Sequence, residues 1–447
     1  MTTLVSELEL GSFDYTDPAM CGARFHEAMR ELRAGGWLAQ GPFGYVVTDR
    51  ESGEFFLRTR AASFPGMKIA EIFGVSEGPL YEQMKRNILH VNGADHTRLR
   101  SLVNPALSPR AVERYRPVMR GFLEDLLADA RASPDGSGDG NVSCEFVEAF
   151  AKPYPSQTIA SVMGAPLADA PKLHHWSNWI QKQFDAASMA NERDGIERAV
   201  EEFYEYAEAL VQARRDDPGN DLISTLIAAA DPAQKPERLS EKECVNLVFN
   251  VLAGGVDTTQ SQLAHAVRLL AEHPQQWALL REDPTLATAA VEEALRYEPI
   301  TPFTARITNE EITHRDVTFP EGTVVMVCAF TGNRDAGETG NRGLEGAGTG
   351  SLDRAGAAAG AMTDADAGDG ERFDIAAWTG AHQPARALTF GAGVHYCLGA
   401  NLAKAELEEA LAFLAERFAG LELDGEPEYE SITGIYGLAK LPVRLRA

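Results

Sequence analysis

Phe390-Gly391-Ala392-Gly393-Val394-His395-Tyr396-Cys397-Leu398-Gly399 surrounds one cysteine with three glycines, a phenylalanine and a histidine. Glycine, with no Cβ, lets a chain turn tightly and pass close to a flat group. Backbone N–H groups aimed at the sulfur would favour the thiolate, whose free thiol has a pKa of about 8.5, and would tune any metal it held. Beyond the cysteine, Ala400, Leu402, Ala403, Leu407, Ala410, Leu411 and Leu414 recur at helical spacing, so a helix is expected over 398–418. The positive end of its dipole would then meet the sulfur, which suits an anionic ligand. The stretch therefore predicts a metal-ligating thiolate at Cys397 rather than a cysteine buried for packing alone.

Three further stretches carry chemistry. Ala253-Gly254-Gly255-Val256-Asp257-Thr258-Thr259 interrupts a helical pattern running from about 240 to 272. Each interior glycine costs about 1 kcal/mol relative to alanine, so the pair needs a reason: close packing on another helix, or a local opening. A threonine hydroxyl can bond a carbonyl one turn back and assist a bend. Glu293 and Arg296 share a helix face and can pair, and His96 and Arg100, one turn apart, face the same way.

In this order the four stretches resemble the cytochrome P450 family, whose haem loop, Phe-Gly-x-Gly-x-His-x-Cys-x-Gly, is matched at every fixed position. The resemblance implies a mainly α fold with small β-sheets, and haem b (iron protoporphyrin IX) held between a long distal helix and a proximal Cys-bearing loop. Cys397 would be the axial iron ligand, pushing electron density onto the metal, with Phe390 beside the sulfur and Gly391 in the loop. Asp257 and Thr258 would be the catalytic acid–alcohol pair. His96, Arg100, Arg306 and His395 would bind the propionates, arginine because its planar fork matches a carboxylate. Ala387 departs from the family, where a propionate-binding histidine is common, and Arg386 is the expected substitute. Glu293 and Arg296 would form a buried structural ion pair joined by Arg372 of Glu371-Arg372-Phe373-Asp374. The distal pocket would be built from Phe64, Met67, Phe73, Leu89, Phe249, Asn250, Ala253, Phe303 and Ile432, implying an apolar organic substrate.

The activity implied is that of a haem-thiolate monooxygenase inserting one oxygen atom from O2. Electrons would come from a separate ferredoxin or flavodoxin docking where Arg100, Arg110, Arg114 and Lys404 cluster. One alternative is a peroxide-driven peroxygenase or hydroperoxide isomerase, against which the Asp257–Thr258 pair speaks. Another is a haem-binding sensor without turnover, which would leave the oxygen-activation residues unexplained.

Composition sets the context. The chain has 447 residues, 44% of them apolar, and no convincing linker, so one domain over 1–447 is expected. No apolar run approaches the roughly 20 residues of a membrane span, and the acidic start (Glu7, Glu9, Asp14) resembles neither signal peptide nor anchor. The five cysteines show no disulfide or metal spacing, which points to a reducing, cytoplasmic setting. A net charge of −25 argues against nucleic acid or an anionic membrane as partner. Residues 336–370 are rich in Gly, Ala and Asp and poor in large apolar groups, so a mobile loop insertion is expected there. Periodicity predicts helices near 21–34, 93–105, 110–131, 146–163, 169–188, 192–215, 240–272, 274–281, 284–297 and 398–418. Short strands are expected at 45–48, 317–319, 323–327 and 442–445.

Overall fold

Helices occupy most of the chain, and the ones that build the site follow the apolar spacing read above. In the computed structural model, residues 2–17, 19–133, 140–229, 239–335, 369–380 and 383–447 are described. The expected insertion lies outside them except for residues 369–370. The site-forming helices are α1 (Gly93–Val103), α2 (Pro153–Met163), α3 (Ala170–Gln181), α4 (Glu241–Gly254), α5 (Asp257–Glu272), α6 (Ala287–Tyr297) and α7 (Ala400–Arg417). Strands β1 (Leu38–Gly41), β2 (Gly44–Val47), β3 (Ala62–Ser63), β4 (Phe303–Thr308) and β5 (Val324–Cys328) form one sheet in the order β1-β2-β5-β4-β3.

The segment expected as one helix over 240–272 is two helices. Ser240 starts α4 with a capping box, its hydroxyl accepting from the Glu243 N–H while the Glu243 carboxylate accepts from the Ser240 N–H. The ladder then breaks at Gly255-Val256, and α5 begins at Asp257. Prolines account for other divisions. Pro117 and Pro153 bring no N–H, so each sits in the first turn of a helix instead of continuing an earlier one. The 110–131 segment accordingly splits into Pro109–Glu113 and Arg116–Ala132, and 146–163 enters α2 through a π-turn at Val147–Ala151. The 169–188 segment ends its first helix at Gln181, and the Asp185 side chain caps a new short helix, Ala186–Asn191.

Packing places the two halves of the site opposite each other. Helix α7 lies against α6 and α5 in the main core, with Leu402, Leu407, Leu411 and Leu414 buried. Burying a leucine contributes roughly 1.5–3 kcal/mol, so this stripe fixes the helix that follows the cysteine loop. In the sheet, β2 pairs parallel to β5 and β4 pairs antiparallel to β5, with Arg306 opposite Val325. That register sets Phe303 to Arg306 along one side of the space beneath α4 and α5. A second small sheet joins Val142–Glu145, Pro442–Arg446 and Gly420–Leu423. The chain between Tyr429 and Leu438 turns back from there against α5, where His265 bonds the Tyr436 carbonyl at 3.1 Å.

Candidate active site

The cysteine loop is a tight coil held by its own backbone. The Cys397 N–H donates to the Phe390 carbonyl at 2.9 Å, and Gly391 and Gly393 take φ of +69° and +72°. A Cβ on Gly393 would lie 2.5 Å from the Leu57 carbonyl, so the approach of the loop to the helix Arg50–Arg58 requires glycine. A Cβ on Gly391 or Gly399 would meet nothing within 4 Å, because both line an internal cavity of about 490 Å³. Cys397 opens onto this cavity while being enclosed by protein on its other sides. Burial raises its thiol pKa, and the N–H groups of Gly399 and Ala400, together with the Arg100 charge, pull against that rise. Such a sulfur gives up its proton readily only to a metal, which stabilises the thiolate outright.

Two arginines with no counter-ion among the described residues, and a histidine beside them, gather on one wall. Arg306 is 3% exposed, and its guanidinium makes one hydrogen bond among the described residues, to the Ala305 carbonyl at 2.8 Å. Burial alone lowers it to about 10. Arg100 lines the same cavity. His395 uses Nε2 on Asn92 Oδ1 at 2.9 Å, which leaves a buried Nδ1 without a partner. Burial, then the nearby His96, Arg306 and Arg100, hold that imidazole down at about 3. A buried cation is costly unless an anion joins it, so this wall fits the acid groups of a cofactor. No cluster of three or more His, Cys, Asp or Glu side chains suited to a metal occurs among the described residues. A metal on Cys397 would therefore bring its other ligands with it, and haem does this.

Two residues expected at this wall lie elsewhere. His96 sits behind His395, ring centroids 4.2 Å apart, and does not line the cavity; its place on α1 points it into the neighbouring imidazole. Arg386 stacks over the Tyr396 ring at 4.1 Å and bonds its hydroxyl, away from the cavity.

Across the cavity lies the break between α4 and α5. The two glycines there have different reasons. A Cβ on Gly255 would come 2.9 Å from Ile159 of α2, a packing constraint, whereas Gly254 faces open space. The freed carbonyls find hydroxyls: Ser177 of α3 donates to Ala253 at 2.6 Å and Thr258 donates to Gly254 at 2.8 Å. Thr258 is on the wall, and Asp257 points away from the cavity toward α3, where Asn178 approaches its Oδ1 at 3.4 Å. Burial raises the Asp257 carboxyl, and Asn178 and His174 only partly offset this.

One wall residue has no counterpart in the sequence reading. Glu406 of α7 is 1% exposed, its Oε2 has no partner, and burial raises it well above the usual carboxylate range. Its signal was a charged residue on the buried stripe beside Leu402 and Leu407. Of the expected pocket residues, Phe64, Phe73, Leu89, Phe249, Asn250, Ala253, Phe303 and Ile432 line the cavity. Met67 does not; it opens a short helix, Met67–Ile72, and packs toward the main core instead. Tyr15, Phe43 and Phe184 complete the aromatic wall, brought from segments with no motif.

The expected ion pair is present, with one change. Arg296 Nε and Nη2 donate to the Glu293 carboxylate at 2.7 and 2.8 Å, which also accepts from Trp378 Nε1 and the Asp374 N–H. Arg372 joins through its main chain, its carbonyl accepting from Arg296 Nη2 at 2.6 Å. The Gly370 carbonyl likewise accepts from Arg296 Nη1 at 2.8 Å, so main-chain carbonyls take further guanidinium protons.

Comparisons with known proteins give the family and the fold. The family model for Cytochrome P450 matches residues 73–338 and 368–444. Luteothin monooxygenase of Streptomyces thioluteus is 30% identical over 98% of this chain and 97% of its own. The mycinamicin IV hydroxylase/epoxidase of Micromonospora griseorubida is 31% identical over 78% of this chain and 76% of its own. Among solved structures, CalO2 superposes with a TM-score of 0.79 at 28% identity, covering 98% of this chain and 99% of that one. No described helix is long and apolar enough to cross a membrane. A thiol between glycines, arginines without a counter-ion among the described residues beside it and a broken helix facing it are thus found in a chain that belongs to the cytochrome P450 family, whose members bind haem b and act as monooxygenases.

Proposed function

We propose that the protein inserts one oxygen atom of O2 into a neutral, largely apolar organic substrate, with electrons from a separate ferredoxin or flavodoxin. The observation that carries this reading is the placing of Cys397 and Thr258 on the walls of one cavity. Haem bound there supplies oxygen activation at an iron made electron-rich by a thiolate ligand. Arg100, Arg306 and His395 would hold its acid groups, with His96 bracing the His395 ring from behind. Gly391 and Gly399 leave the room that a flat ring needs beside the sulfur.

On the opposite wall the Thr258 hydroxyl donates to the Gly254 carbonyl, which fixes its rotamer; it presents its proton to the reacting centre by turning out of that bond. Asp257 stands one residue back and replenishes that proton. Burial raises this carboxyl, which favours the protonated form that has a proton to give. Tyr15, Phe43, Phe64, Phe73, Phe249 and Phe303 exclude water and present ring faces and edges to the substrate. The Asn250 amide N–H bonds the Asn246 carbonyl at 2.6 Å, which leaves its oxygen to accept from a substrate hydroxyl or amide.

The test is a screen of neutral polycyclic and polyketide-like compounds for spectral shifts of the ferric protein, followed by turnover of the hits under labelled dioxygen. One labelled oxygen per product with electron consumption is expected. Product formed from peroxide alone, with no label from O2, would contradict the reading.

A further inference from the structure

The mechanism leaves unexplained a second acid on the outer side of Asp257. Glu430 begins the turn that runs back along α5, its N–H bonded to the Gly437 carbonyl at 3.0 Å. Gly437 has no Cβ, and the space it leaves is filled from two sides by Glu430 Oε2 and Ser261 Oγ. Ser261 Oγ in turn donates to the Asp257 carbonyl at 2.9 Å, one turn down α5. Glu430 is half-buried, and among the described residues no donor hydrogen-bonds its carboxylate. An ion-paired or hydrogen-bonded surface glutamate would need no such pocket. Burial, then the charge of Asp257, raise Glu430 to about 7, against the weaker pull of Lys152 and Lys182.

The surroundings from every packed element are polar. Before α2 stand Glu148 and Lys152, which pair with each other. Helix α3 and the turn after it bring His174, Asn178 and Lys182. His174 bonds Gln260 of α5 at 2.8 Å, and Lys182 pairs with Glu192. The 430–437 turn adds Ser431 and Thr433, both bonded to Asp185. Asn178 approaches Asp257 itself at 3.4 Å and the other groups have partners of their own, so the charge of Asp257 bears on Glu430, which has no donor of its own among the described residues.

We propose that Glu430 is a positioning residue for oxygen activation, the outer carboxyl of a two-acid entry that receives a proton from solvent and restores it to Asp257 beside Ser261. The step is a proton transfer only. The Glu430 carboxylic acid becomes carboxylate as Asp257 regains its proton, and water reprotonates Glu430. If the two carboxyls share the proton in this way they titrate as a pair, and altering either should move the other. The proposal rests on Asp257 being the donor behind Thr258.

The test uses the haem-loaded ferric protein, without turnover, and follows carboxyl infrared bands through a pH titration. The wild type should show a protonated carboxyl that titrates near neutrality. Glu430→Gln, which keeps shape and loses the proton, should remove that component and let Asp257 ionise at lower pH. Asp257→Asn should move the Glu430 titration downward. In turnover, Glu430→Gln should raise the solvent isotope effect and cut product formed per electron several-fold at high pH. Haem content and melting temperature should stay unchanged. Infrared titrations identical in wild type and both variants would overturn the proposal whatever the fate of the monooxygenase activity. A moved titration with an unmoved pH profile of coupling would overturn the hand-off. Absence of oxygenation in the wild type would strike the activity reading alone.

Discussion

Cys397, Thr258 and Glu298 show three ways in which one side chain is set by its surroundings. Thr258 is held by Gly254 and faces the cavity, so Thr258→Ala should fold and bind haem normally. Reducing equivalents should then pass to peroxide, with product per electron falling on the order of tenfold or more, within the range of a lost proton donor. Peroxide and product measured together check this, and full coupling in the variant would refute the role. Glu298 has no catalytic part. It is buried, bonded to Arg268 at 2.7 Å and His26 at 2.9 Å. Burial opposes its charge, but His26 and Arg268 outweigh burial and hold its pKa far below the usual 4.5. A depressed carboxyl stabilises the fold fully above about 4.5 and loses that contribution as pH falls toward its folded value. Melting temperature should therefore drop more steeply below pH 4.5 in the wild type than in Glu298→Gln. The variant should itself be weaker at pH 7 by about 3–5 kcal/mol, because it leaves Arg268 under-paired. Cys397, Asp257 and Thr258 were legible in the sequence because their company is local. Glu406, Tyr15 and Glu430 were not, since what makes each notable is a neighbour far away in the chain.

At the scale of elements, the break between α4 and α5 is the most informative feature. Periodicity alone reads 240–272 as continuous, and the Gly-Gly pair left packing and opening both possible. The structure assigns packing to Gly255 and opening to Gly254. Gly255→Ala should press on Ile159 and cost about 1–3 kcal/mol by overpacking. Gly254→Ala should be neutral or stabilising, with up to about 1 kcal/mol gained in helix propensity, yet should weaken substrate-induced spectral shifts by placing a methyl group in the cavity. Thermal melts and ligand titrations of the two variants separate these effects; equal melting temperatures would contradict the division. The Glu293–Arg296 pair was legible as a spacing, but its third partner was not. A main-chain carbonyl carries no sequence signature, so Arg372 was expected through its side chain. Strands β1 and β4 were likewise missed, because four to six residues of mixed polarity give too short a pattern to separate from loop.

Across the whole molecule, the sheet and the helix α7 frame one cavity from opposite ends of the chain, and only the fold brings Arg306, His395 and Arg100 together. The net charge of −25 acts at this scale too. Self-repulsion opposes the compact state, and salt screens it over a Debye length of about 10 Å at 0.1 M. Melting temperature should thus rise when sodium chloride is raised from low concentration toward physiological strength; a fall would show that surface ion pairs outweigh the repulsion. The central claim, a cofactor held by the thiolate of Cys397, has a more direct test in the carbon monoxide difference spectrum of the reduced protein. The wild type should give the red-shifted band of thiolate-ligated haem, and Cys397→Ser, with its fold retained by circular dichroism, should lose that band. The same band in both proteins would contradict the assignment.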